Sequence, residues 1–280
     1  MSDLLTPATA ADAAAEAAGI HIRPLTELAE LRDLYELFDS IWHFNPANPP
    51  VTRDLLRAMS KAGNYVVGVF DASGMIGGCV AFFAAPDRRE MHSHIAGVTR
   101  AAQSRSVGRA LKLHQRAWAL SRGVTRVSWT YDPLVSRNAY FNLVKLGALP
   151  VQYLPDFYGA MGDSMNRGDD TDRLLVHWEL NSPYVDQAAH GGRPEPRDLT
   201  GAVVVLDRTP DGEPAPRPAE GRTVLVAVPP DIGLLRRADP ASARRWRVAV
   251  REALAPLMDS GARVTGFDRA GWYVVDREDR

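Results

Sequence analysis

Apolar residues recur every three or four positions at Leu28, Leu31, Leu34, Phe38 and Ile41, the spacing that lines one face of a helix. Asn45, Pro46, Asn48, Pro49 and Pro50 break that rhythm, and a second helix is expected over 52–62 with Gly63 as its stop signal. The rhythm then shortens. Residues 65–70, 75–83 and 91–98 read as three strands, the first two joined by the turn Asp71, Ala72, Ser73, Gly74. A helix follows at 107–121, then a strand at 126–130, a helix at 137–146 closed by Gly147, and strands at 151–154 and 174–180. A short strand at 21–25 precedes them all.

Outside this block the pattern weakens. Residues 1–19 are rich in Ala and Asp, carry few large apolar groups, and read as a frayed helix or disordered tail. Residues 181–222 are dense in Pro, Gly, Asp and Arg and read as linker and hairpin. Order resumes at 223–280 with a strand, a long helix over 241–260 and strands around Val264 and Tyr273. That unit is small enough that it is expected to pack on the 20–180 domain or on a second copy of the chain. The expected class is α/β, with a mixed, mostly antiparallel sheet flanked by helices and a small C-terminal βαββ unit.

Composition removes several function classes. The formal net charge of the 280 residues is −1, with no long run of one sign, so neither a nucleic acid nor a membrane is expected as partner. Cys79 is the single cysteine and sits in the apolar run 76–83, which excludes an intrachain disulfide and favours a buried packing role over a nucleophile. His92 and His94 lack a third ligand at a supporting spacing, so no metal is expected. The first ten residues lack both a basic start and an apolar core, so a cytoplasmic protein is expected.

The chemistry concentrates at 98–112. A strand end there feeds a helix start through Gln103, Ser104, Arg105, Ser106, Val107, Gly108, Arg109 and Ala110. Unpartnered amides at a helix N-terminus favour an anion; Gly108 permits close backbone approach, and the two arginines would add charge. This stretch resembles the pyrophosphate loop of the GNAT superfamily of acyl-CoA N-acyltransferases, with Gln103, Gly108, Val98, Ala110 and Leu111 fitting its pattern. Ser106 stands where the first glycine of that pattern belongs. The element order over 20–180 is similar as well, and the segment 128–148 looks like the second half of the fold. In the family an Asn and Ala begin that helix beside the CoA arm, which implicates Asn138 and Asn142. Leu143 stands where the family often has a proton-donating Tyr, leaving Tyr140 as the nearest candidate for that role.

The strings 92–98, 129–134, 171–173 and Trp246-Arg247 are similar to a bacterial subgroup with a C-terminal extension, linked to N-acylation of amino acids. The resemblance implies acetyl-CoA or another acyl-CoA as co-substrate, an acetyl or succinyl group as cargo and a small-molecule amine as acceptor; the C-terminal unit, as a docking or dimerisation element, leaves a homodimer open. On the strand 91–98, alternation places His92, His94, Ala96 and Val98 on one face. The resemblance then puts the developing oxyanion at the amides of Gly97 and Val98, and the general base at His94, His92 or Glu90. A carboxylate on acyl group or acceptor would want an arginine, for which Arg137, Arg173 and Arg247 are candidates; Trp42 and Trp129 would line the acceptor pocket. Two other readings stay open: a non-catalytic acyl-CoA-binding sensor or scaffold, and a protein-modifying acetyltransferase.

Overall fold

The computed structural model describes residues 6–159, 169–192, 197–218 and 220–277. In chain order its elements are α1 (Pro7–Ala18), β1 (His21–Pro24), α2 (Leu28–Trp42), α3 (Arg53–Lys61), β2 (Tyr65–Asp71), β3 (Gly74–Phe83), β4 (Glu90–Val98), α4 (Val107–Leu120) and β5 (Arg126–Tyr131). There follow α5 (Ser136–Tyr140), a π-helical turn (Phe141–Leu146), β6 (Leu149–Leu154), β7 (Arg173–Glu179) and α6 (Pro183–Ala189). The last are β8 (Val203–Arg208), β9 (Pro214–Pro216), β10 (Thr223–Ala227), α7 (Ile232–Ala238), α8 (Pro240–Asp259), β11 (Arg263–Asp268) and β12 (Trp272–Asp276). The fold is mixed α/β, with mostly antiparallel sheets flanked by helices, as the hydrophobic pattern predicts.

Two compact units divide the chain: residues 1–129 with 179–192, and residues 130–178 with 193–280. In the first, β1, β2, β3 and β4 pair antiparallel in that order, and β4 pairs in parallel with β5. Leu31, Leu34, Leu37 and Phe38 of α2 bury against Leu56 of α3, Val66 of β2 and Val80 of β3. Leu28, placed by its spacing on the same stripe, is exposed.

The N-terminal segment, expected as a frayed helix or a disordered tail, is a capped helix over most of its length. Residues 1–5 lie outside the described residues, but 7–18 form α1, whose Thr6 hydroxyl accepts from the Thr9 amide and whose Gly19 closes the end at φ 63°. Large apolar groups are not what holds it. Ala is the best helix former, and small side chains let Ala11 pack closely against Leu113 of α4 and Ala189 of α6.

In the second unit β6 pairs antiparallel with β7. A separate five-stranded sheet runs β11-β12-β10-β8-β9. The stretch 181–222 supplies two of its strands: β8 and β9 form a hairpin, and β8 also runs parallel to β10. The C-terminal unit is thus larger than βαββ. Its polar interior is unusual. Asp132 accepts from Arg236 at 2.7 Å and from both ends of Arg247 at 2.9 Å, while Asp169 accepts from Arg236 at 2.9 Å and Arg247 at 3.1 Å. All four side chains are buried. Burial alone would raise the Asp132 carboxyl, but Arg247 and Arg236 outweigh it and hold the group far below the usual carboxylate range.

Candidate active site

The ladder between β4 and β5 is short. It comprises Glu90↔Arg126, Met91↔Val127 and His92↔Ser128, and then β4 continues for the six residues Ser93 to Val98 with no partner on that side among the described residues. Strand amides alternate in direction. The Thr99 amide donates to Ile76 of β3 at 2.8 Å, so the N–H groups of Ala96 and Val98 point to the open edge and that of Gly97 points into the β3 ladder. Gly97 serves differently from its expected amide role. A Cβ there would lie 2.3 Å from Cη2 of Trp42, so only glycine lets Trp42 approach the strand.

The alternation expected for this strand is interrupted. Ile95 pairs with Val80 and Ser93 with Ala81, which leaves His94 as the extra residue of a β-bulge. His92, Ile95 and Gly97 therefore share a face, while Ser93, Ala96 and Val98 take the other. Reaching across from the bulge, His94 brings Nε2 to 2.9 Å from the carbonyl of Pro50. A carbonyl only accepts, so Nε2 carries a proton, and in the neutral ring Nδ1 is the acceptor. His92 lies 6.3 Å from His94 between ring centroids, with Nδ1 at 3.3 Å from the Ser128 hydroxyl. Burial first, then the neighbouring His94, lowers its pKa to about 4, so His92 is neutral at pH 7. Glu90 pairs with Arg126 at 3.8 Å.

Beyond Val98 a 3₁₀ turn leads to Gln103 in an extended conformation, then to Ser104 and Ser106 at φ 74° and 61°. Ser106 thus takes up the left-handed conformation that a glycine would adopt without strain, at a cost of roughly 1–2 kcal/mol. The first intrahelical bond of α4 is Ala110 N–H to the Ser106 carbonyl, so the amides of Val107, Gly108 and Arg109 have no helical acceptor. They face where a negative group is favoured. The arginine side chains, expected to add charge here, are engaged elsewhere. Arg105 donates to Asp71 at 2.6 Å and to the Ala18 carbonyl, and Arg109 donates to the carbonyls of Ala188 and Ala189. They tie the loop to Asp71 and Ala18 and the helix start to α6. Hydrogen bonds from Ser73 and from Arg105 lower the Asp71 carboxyl to about 2.

In the second unit, the helix expected over 137–146 is α5 followed by the π-helical turn, ending at Gly147 with φ 73°. Asn138 is half-buried and Asn142 buried, with Leu143 in the core at 1% exposure. Tyr140 accepts from Arg269 Nε at 3.0 Å; together with Ser136, Arg137 and Lys145 they line a cleft of about 440 Å³. Arg173 stacks 5.2 Å over the Tyr158 ring and donates to the Asp172 carbonyl at 2.9 Å. Burial pushes its pKa down, and Asp132, the carboxylate that offsets this, is already bonded to Arg236 and Arg247. Arg247 is locked in the buried cluster with 1% exposure, which withdraws it as a substrate-binding candidate.

One residue of this region carries no role in the sequence reading. Lys112, on the inner face of α4, is buried, with Nζ 2.8 Å from Gln115 Oε1, 3.3 Å from Ser93 Oγ and 3.6 Å from the centroid of Trp129. Its place five residues after Val107, within the buried face of an amphipathic helix, is the signal that could have found it.

Residues 8–140 match the family model described as an acetyltransferase (GNAT) domain. No curated protein matches the sequence. Among solved structures, the chain is similar to the ribosomal-protein-S18-alanine N-acetyltransferase of Escherichia coli, at 16% identity over 58% of this chain and 95% of that one, TM-score 0.46. It is also similar to an N-acetyltransferase of Staphylococcus aureus, at 12% identity over 58% and 99%, TM-score 0.46. A third is a candidate acetyltransferase of Salmonella typhimurium solved with its cofactor acetyl-CoA, at 17% identity over 59% and 95%, TM-score 0.48. Among the described residues no helix is long and apolar enough to cross a membrane.

Proposed function

We propose that this chain is an acyl-CoA-dependent N-acyltransferase that moves an acetyl or succinyl group from CoA to the amine of a small molecule, an amino acid above all. The observation that carries the reading is the parting of β4 from β5 after His92↔Ser128, with the open edge leading straight into the left-handed serines and unpartnered amides before α4. An extended thioester arm needs backbone donors along its length, and a pyrophosphate needs a cluster of amides at its end. This edge and this helix start supply both in the order required.

When bound, acyl-CoA supplies an activated thioester; the chain's own groups do the rest. The amides of Val107, Gly108 and Arg109, with Gln103 and Ser104 shaping the turn and Ala110 closing it, hold the pyrophosphate. The Val98 amide, aimed at the open edge, donates to the carbonyl oxygen as charge develops there. His94 takes a proton from the acceptor ammonium through Nδ1, its Nε2–H tethered to Pro50. His92 stays neutral beside it, and Glu90, engaged with Arg126 at 3.8 Å, is the weaker candidate. Tyr140 is the candidate donor to the leaving thiolate. Trp42 and Trp129 border the strand edge. Arg173, desolvated and with its neighbouring carboxylate Asp132 shared with Arg236 and Arg247, suits the carboxylate of an acceptor or of a dicarboxylic acyl group, with Arg137 as second candidate.

The test is thiol release from acetyl-CoA and succinyl-CoA, offered with D- and L-amino acids. The reading expects CoA release that requires both an acyl-CoA and an amino acid. Release from none of the pairs, despite measurable CoA binding, would favour a binding scaffold or a protein acceptor instead.

A further inference from the structure

We propose that Lys112 is a positioning residue, whose ammonium spans Ser93 of β4 and Trp129 of β5 and holds the two strands apart where the thioester arm enters. The inference rests on the acyl-CoA reading of that gap. Its geometry stands on the strands themselves. The last backbone pair is His92↔Ser128, so Ser93 and Trp129 are the first residue on each strand beyond the ladder. Lys112 Nζ meets both, at 3.3 Å from the Ser93 hydroxyl and 3.6 Å from the Trp129 ring centroid. Where the ladder stops, a cation takes the place of the next pair.

The setting is built around that cation. Gln115 accepts from Nζ at 2.8 Å through Oε1, and its Nε2 donates to Ser93 Oγ at 3.2 Å and Cys79 Sγ at 3.3 Å. The ring face of Trp129 is the best π partner for an ammonium, and desolvation strengthens the contact. A lysine is almost never buried as deeply as this one, at 6% exposure, because stripping an ammonium of water costs several kcal/mol. A methionine would fill the volume without that cost. The charge itself is therefore the feature to explain, and bridging two strands that backbone bonds no longer join explains it.

The charge is also adjustable. Burial lowers the Lys112 pKa to about 8. Among the described residues, the titratable groups electrostatically coupled to it are Cys79 from β3, whose thiol burial pushes up, and His92 from β4, lowered to about 4. Burial favours the neutral form of both, so the charge that titrates near pH 8 is that of Lys112, and the cationic bridge is present below about pH 8 and lost above it.

The experiment measures CoA affinity and kcat/KM for acyl-CoA from pH 6.5 to 9.5 in the full chain and in Lys112→Met and Lys112→Arg. The original chain is expected to lose about tenfold in affinity as pH rises through 8, the scale of one desolvated cation–π contact. Lys112→Met is expected to show the weak value at every pH, and Lys112→Arg to keep tight binding to pH 9.5. Trp129 emission, isolated by difference against Trp129→Phe, is expected to titrate near pH 8 and to stop doing so in Lys112→Met. Should Lys112→Met prove unfolded by circular dichroism, the pH profile of the arginine variant decides. Unchanged affinity and slope in the methionine variant, or a titration at pH 8 that persists in the arginine variant, overturns the proposal and leaves the acyl-CoA reading intact. No CoA binding by the original chain overturns the acyl-CoA reading itself, and the emission titration then still reports whether the bridge exists.

Discussion

Two backbone positions carry most of the geometry around the proposed oxyanion and pyrophosphate sites. Ser106 sits at φ 61° without a side-chain capping bond, so its strain is uncompensated locally. Ser106→Gly should leave urea-unfolding stability unchanged or slightly higher, whereas Ser106→Val should lose about 1–2 kcal/mol and weaken CoA binding. Equal stability of the two variants would mean that the left-handed turn is not needed. Gly97 is constrained from the side: Gly97→Ala puts a methyl group into the Trp42 ring and should cost about 1–3 kcal/mol by overpacking. Adding Trp42→Phe should recover much of that loss, because the pair is in contact and non-additive. The sequence marks both positions, Ser106 as a departure from a glycine pattern and Gly97 as part of the strand. What the letters do not carry is that Ser106 turns left-handed anyway, or that an indole from α2 occupies the space above Gly97. The second of these depends on a partner dozens of residues away in the chain.

Strand β4 shows where pattern reading fails and why. Period-two alternation predicts His92 and His94 on one face with Ala96 and Val98; the bulge at His94 keeps the histidines near each other and moves Ala96 and Val98 to the opposite face. A bulge adds one residue against a partner strand, and nothing in the bulged strand alone announces it. The proposed consequence is a division of labour. His94→Gln should lower kcat by 10²–10⁴-fold, as loss of a general base does, and His92→Asn by far less. His92 instead affects stability. Its folded pKa, about 4, lies below the ordinary histidine value near 6.5, so the unfolded chain binds more protons between those limits. Stability is therefore full above pH 6.5 and falls as pH drops toward 4, by something on the order of 2 kcal/mol from this residue. Urea unfolding at pH 7 and 4.5 should show a smaller drop in His92→Asn. His114, also lowered by burial, leaves part of the drop in place.

Across the whole chain, the first unit is the more legible. Apart from α1 and the bulge in β4, its helices and strands follow the apolar periodicity, because most bury one face against a neighbour close in sequence. The second unit is assembled from distant pieces, and its centre is a cluster of charges at positions 132, 169, 236 and 247. No periodicity reports such a cluster, and Arg247 accordingly reads from the sequence as a substrate-binding candidate. Removing one member leaves buried charge uncompensated, so Asp132→Ala should destabilise the protein by about 3–5 kcal/mol in urea unfolding. A loss below 1 kcal/mol would show the cluster to be solvated. The central claim concerns the other unit, where the open edge of β4 and the start of α4 form one acyl-CoA track. Amide hydrogen exchange with and without acetyl-CoA reads it residue by residue. Slowed exchange at Ala96, Val98, Val107, Gly108 and Arg109 is the predicted result; binding that leaves all five unchanged would contradict it.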